Sequence, residues 1–134
     1  MANSGVMRLI ADLKTLDTLV DSLENHAEAD MPLDEKQYML TEDICGIYNA
    51  QAWYLSCKQS LLDNPPKEEE SMDVRIYIHK KVDLKERAVL NKFKDLREKI
   101  SKYQLNENNN KRINNYITSH PVLSKWVSLG KEAD

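Results

Sequence analysis

Side chains able to move a proton, ligate a metal or meet a phosphate are few in this chain, and they are scattered. His79 and Asp83 stand four residues apart, a spacing that sets a carboxylate against an imidazole on one helix face. General-base chemistry uses that pair, but so does an ordinary surface ion pair, and the plainer reading is favoured. Arg75 and His79 are also four apart and offer a basic face to a phosphate. With Lys80 and Lys81 beside them, they read more simply as surface charge. The residues three before His26, His79 and His120 are Leu23, Ile76 and Ile117, so the Glu-x-x-His ligand pattern of di-iron bundles does not occur. Cys45 and Cys57 have no zinc-site spacing and no histidine within a few residues. On a single helix, twelve residues separate them by about 18 Å, beyond disulfide reach, so two buried free thiols are expected. A chain with 3 glycines can hardly build a phosphate-cradling loop. We assign no catalytic, cofactor-binding or metal-binding residue. The expectation is a protein that binds and does not catalyse.

Charge is the feature the chain has in quantity. The net value of -3 hides a split. Residues 1–66 hold 4 Lys/Arg against 11 Asp/Glu, whereas 75–112 hold 12 against 5. An acidic half is followed by a basic segment. In that segment Lys80, Lys81, Lys85, Arg87, Lys92, Lys94, Arg97, Lys99 and Lys102 are candidate contacts for nucleic-acid phosphates. Tyr77 and Tyr103 would offer stacking surfaces if exposed, although the spacing of Phe93 and Tyr103 favours the core. A pI near 5.6 argues against a dedicated nucleic-acid domain. The basic segment has a second use, as an intramolecular partner for the acidic half. A third reading is a small inhibitor whose carboxylates, Asp12, Asp17, Asp21, Glu24, Glu28 and Asp30, mimic a polyanion. A solvated acidic face accounts for them more simply.

These groups must be carried by helices. Val6, Leu9, Leu13, Leu16, Val20 and Leu23 recur at alternating three- and four-residue steps, a heptad seam with Ile10 and Leu19 at its margins. Asn3 or Ser4 suits its N-cap, and Pro32 closes the segment. The seam is regular enough to pair with another helix, so a protein partner is the leading expectation, with a homodimer one form of it. Packing inside the monomer, which its short length suits, is the favoured reading of the seam itself. A second helix opens with Asp34 and Gln37 as a capping box and Leu33 with Tyr38 as a staple, and ends at Asn64-Pro65-Pro66. Gly46, Ala50, Trp53 and Cys57 form a stripe along it that would admit a close neighbouring helix.

After a Lys67–Glu70 linker, a long basic helix is expected over 71–104, broken near Val82, with Asp83 and Glu86 as a further capping box. The alternation of Val74, Ile76 and Ile78 leaves a short strand at 74–78 as the alternative. Asn106–Asn110 read as a loop and 110–129 as short helices, with Pro121 opening the last and Gly130 stopping it before a frayed 131–134. The expected architecture is all-α, one domain over 1–130, an antiparallel bundle of four or five helices with an acidic hairpin at 5–63. The expected core is Leu9, Leu13, Leu16, Leu23, Ile44, Ile47, Trp53, Leu61, Phe93, Leu96, Ile100, Ile117, Leu123 and Trp126. No apolar run approaches the roughly 18 residues that span a bilayer, and no signal leader is evident, so a cytoplasmic location without membrane contact is expected. Small size and Asn/Lys richness suit a phage or other accessory protein.

Overall fold

The computed structural model describes residues 4–64 and 71–132, with side chains over 5–64 and 75–126. Six helices make up those residues: α1 (Ser4–Glu28), α2 (Leu33–Asp63), α3 (Ser71–Lys81), α4 (Asp83–Tyr103), α5 (Glu107–Thr118) and α6 (Pro121–Glu132). The fold is all-α, with six helices among the described residues where four or five were expected. Among these residues none of the helices is long and apolar enough to cross a membrane.

The heptad seam organises the packing. Val6, Leu9, Leu13, Leu16, Val20 and Leu23 are each no more than 2% exposed, lying against α2 and α4 of the same chain. Of the two margin residues Ile10 packs on the core and Leu19 faces outward. At 31 residues α2 is the longest helix, about 46 Å, and packs against α1, α5 and α6. It also meets α4, which runs antiparallel to it: Lys58 pairs with Asp83 and Glu86 near one end, and the Tyr48 and Phe93 rings meet edge to face at 4.9 Å farther along. The contacts Gln37 to Asn106 and Glu42 to Arg112 set α5 in the same direction as α2.

Several local expectations are corrected. Trp53 is 63% exposed. Ile47, Gln51, Tyr54 and Lys58, at steps of four, three and four, make the inward stripe, and Trp53 is turned about 100° from Tyr54. Tyr103, placed on the apolar seam by its spacing, is 74% exposed, whereas Phe93 is buried. No capping box forms at Asp34: Pro32 is the N-cap, so Asp34 and Glu35 fall within the first turn and favour the helix through its dipole. Leu33 and Tyr38 are both exposed, so no staple closes there. Residues 74–78 are helical, with Ile78 buried and Ile76 outward. The long basic helix is interrupted at Val82 alone, whose N–H bonds to Ile78 O and whose carbonyl accepts from Glu86 N–H, both at 2.8 Å. With the backbone bonds carried across the break, Asp83 has no cap to make. Asn106 is an N-cap, its side chain accepting from Asn109 N–H at 2.8 Å, so α5 starts at Glu107 and takes in the rest of the asparagine run. Finally, α6 continues through Gly130 to Glu132 instead of stopping at 129. The Asn3 cap, the Lys67–Glu70 linker, the helix-ending Pro65-Pro66 pair and residues 133–134 lie outside the described residues.

Candidate interaction surfaces

The nine basic candidates do not form one surface. Lys92 is spent on the acidic helix, bonding Asp21 at 2.7 Å and Glu24 at 3.4 Å. Arg97 lies over the Tyr48 ring at 5.6 Å, its Nε buried and without a hydrogen-bond partner among the described residues. Lys102 sits over Tyr103. Lys94 and Lys99 are exposed, but Asp95 and Glu98 are exposed between them on the same helix. Only Lys80, Lys81, Lys85 and Arg87 make a run of exposed cations with no ion pair or hydrogen bond to another described residue.

The reason lies on α2. Lys58 reaches across to the two carboxylates of that run, bonding Asp83 at 2.8 Å and Glu86 at 2.9 Å. Burial alone would depress its ammonium, but the two carboxylates outweigh burial and raise its pKa. Asp83 answers in kind. Burial would raise it, but the hydrogen bonds from Lys58 and His79 hold it below the ordinary carboxylate range. With both acids turned toward Lys58, Lys80, Lys81, Lys85 and Arg87 have no bonded counter-charge among the described residues. Lys58 was not singled out in the sequence, since an isolated lysine on an apolar helix carries no signal of a distant acidic partner.

The histidines and the arginine singled out for chemistry are engaged in structural contacts. His79 Nδ1–H bonds Asp83 at 3.1 Å as expected, but the imidazole is 83% exposed and Asp83 is shared with Lys58. Arg75 donates to Leu62 O at 3.3 Å and does not join His79. His26 clamps the end of α1 to Asp43 of α2. Cys45 and Cys57 are free and only partly buried. Burial first, and Glu42 second, push the Cys45 thiol up against the opposing pull of Arg112 and Arg97, which leaves it a poor nucleophile. Tyr54 is 1% exposed, and its hydroxyl has no hydrogen-bond partner among the described residues. Burial, then the nearby Glu86, Asp83 and Asp12 carboxylates, raise its pKa far above the ordinary range.

The stripe Gly46, Ala50, Trp53, Cys57 is the remaining surface. It was expected to seat a neighbouring helix inside the fold; Ala50 and Cys57 are partly buried against the core, whereas Gly46 and Trp53 at its outer edge are exposed. A Cβ built on Gly46 would meet nothing within 4 Å, and Trp53 stands in solvent two turns farther along the same face. Glu42, on this side too, is held by Arg112. No family model, curated protein or solved structure matches the chain. Any functional reading therefore rests on these surfaces.

Proposed function

We propose that the protein is a non-enzymatic interaction module, and that it self-associates through the open face of α2. The seam on α1, whose regularity first suggested pairing, is consumed within the chain. The motive moves to α2. One observation carries the reading: a 63%-exposed tryptophan two turns along the helix from an exposed, bare glycine. Exposed aromatic anchors are the side chains interfaces use most heavily. A glycine within an exposed helix costs about 0.5–1 kcal/mol relative to alanine, and close approach of another backbone is one reason to keep it.

The two features are complementary. If a second copy packs its α2 antiparallel with residues 49 and 50 at the centre, Trp53 of each copy lies over Gly46 of the other. The same register sets Glu42 opposite Cys57 and Met39 opposite Ser60, so no like charges meet. The arrangement is isologous and closes at two copies. One helix face is a small interface, so dissociation in the micromolar range is expected. Binding without catalysis also accords with the raised Cys45 and Tyr54 groups, neither of which is poised to react.

Light scattering at concentrations from about 1 to 100 µM tests this directly, the range being that of small interfaces. Dimer should form across the range and vanish in Trp53→Ala and in Gly46→Trp, both of which keep helical content. A wild-type chain that stays monomeric throughout removes the proposal.

A further inference from the structure

The basic run on α3 and α4 is a separate surface. We propose that Lys80, Lys81, Lys85 and Arg87, gathered around exposed Tyr77 and Leu84, form a binding site for single-stranded nucleic acid. All four cations are exposed and lack a partner among the described residues. Over 75–87 the chain holds 5 Lys/Arg and 2 Asp/Glu, and both acids are occupied by Lys58. The fold has thus turned the negative charge inward and the positive charge outward. An outward field of one sign, unspent on the protein itself, fits a polyanion.

Its apolar members narrow the choice. Tyr77 and Leu84 are seven residues apart, hence on one side of the nearly continuous α3–α4 rod, and are 37% and 77% exposed. Lys80 and Lys81 lie between them and Arg87 follows one turn later. A duplex meets a protein mainly through its phosphates and groove edges, leaving such side chains in water. A single strand brings unstacked bases to the aromatic and aliphatic surfaces while its phosphates meet the flanking cations. A membrane surface needs a continuous apolar face, but Ile78 of α3 points into the core while Ile76 and Tyr77 leave the helix on different sides. A purely acidic peptide stretch would match the charge but offers Tyr77 and Leu84 no ring to stack on.

The test is fluorescence anisotropy with labelled oligothymidylate of about 20 nucleotides, ample for one small site, at about 50 mM salt. Its duplex, anionic phosphatidylserine vesicles and polyglutamate serve as competitors. The single strand should bind best. Engaging about four phosphates, its affinity should fall with salt at a log–log slope near −3, since each contributes about −0.7. Replacing Lys80, Lys81, Lys85 and Arg87 by Gln should weaken binding by more than about tenfold and flatten that slope. A control carrying Arg8→Gln, Lys14→Gln and Lys111→Gln, all exposed positions outside the run, should bind nearly as wild type. Leu84→Ser separates stacking from charge by lowering affinity with the slope unchanged. No binding of oligothymidylate, equal binding by the Gln variant, or stronger competition by duplex, vesicles or polyglutamate would each overturn the proposal. The α2 face is tested by oligomeric state, so the two readings fail independently.

Discussion

Gly46 and Trp53 are where single residues disagree with their surroundings. A helix interior that faces water ordinarily holds alanine or a long polar side chain, because glycine loses more backbone freedom on folding and packs nothing. Since a methyl at position 46 would meet nothing within 4 Å, Gly46→Ala should raise monomer stability by about 0.5–1 kcal/mol. Urea denaturation below the dimer dissociation range would measure it; a loss of stability would mean that the face is covered. The two tryptophans make a paired comparison. Trp126 is 9% exposed on α6 and Trp53 is 63% exposed on α2. Trp126→Ala should therefore cost about 3–5 kcal/mol, whereas Trp53→Ala should stay within about 0.5 kcal/mol for the monomer. Iodide quenching gives the same contrast without mutation, since only Trp53 is accessible. The sequence could not separate them. Both are apolar residues at helical spacing, and which side of α2 faces inward is decided by the packing of α1, α5 and α6, most of it through residues remote in sequence.

At the scale of elements, the polar clamp between α2 and α4 sets both stability and charge display. Lys58→Met leaves Asp83 and Glu86 side by side without their cation, at about 2 kcal/mol or more. Adding Asp83→Asn and Glu86→Gln to that variant should recover part of the loss, because the uncompensated charge is then gone. The pH dependence has a definite sign. Asp83 has a lowered pKa, so its contribution is present above the ordinary carboxyl value of 3.8 and is lost as pH falls through the lowered one. Lys58 has a raised pKa, so its contribution is present below the ordinary 10.5 and is lost as pH rises through the raised one. Stability from this clamp is flat between those limits, and Lys58→Met should reduce the acid-side loss due to Asp83, leaving the part held by His79. Denaturant midpoints across pH 2 to 6, which brackets the carboxyl range, would check it; an identical acid profile in wild type and variant would sink the assignment. Elements built on local periodicity were legible: the α1 seam, the start of α6 at Pro121 and the break at Val82 all follow from residues within a turn or two. Caps were less so. Asp83 and Glu86 have capping-box spacing, yet they serve Lys58, 25 and 28 positions back, and no local pattern announces that preference.

For the whole molecule, the consequence of a central α2 is cooperativity. Its buried side chains, Leu40, Ile44, Ile47, Tyr48 and Tyr54 among them, belong to one core with the α1 seam, Phe93 and Ile100 of α4, Ile113 of α5, and Leu123 and Trp126 of α6. No pair of helices keeps a core of its own. A hairpin of α1 and α2 alone would expose the flanks of α2 that α5 and α6 cover, and the short α5 and α6, at 12 residues each, are too short to persist unpacked. The protein should thus unfold in one transition despite its segregated charge. Helicity by far-ultraviolet circular dichroism and Trp126 fluorescence, read in a Trp53→Phe background, should give coincident midpoints in urea. The charge split should affect that midpoint little, because the direct bridge from α1 to α4, Lys92 with Asp21 and Glu24, is partly exposed and is worth at most about 1 kcal/mol. Raising salt to about 1 M, where the Debye length is about 3 Å, should screen that bridge yet keep the two curves superimposed. A Trp126 signal lost well before the helical signal would show that α5 and α6 are a detachable layer, and that the core of α1, α2 and α4 stands without them.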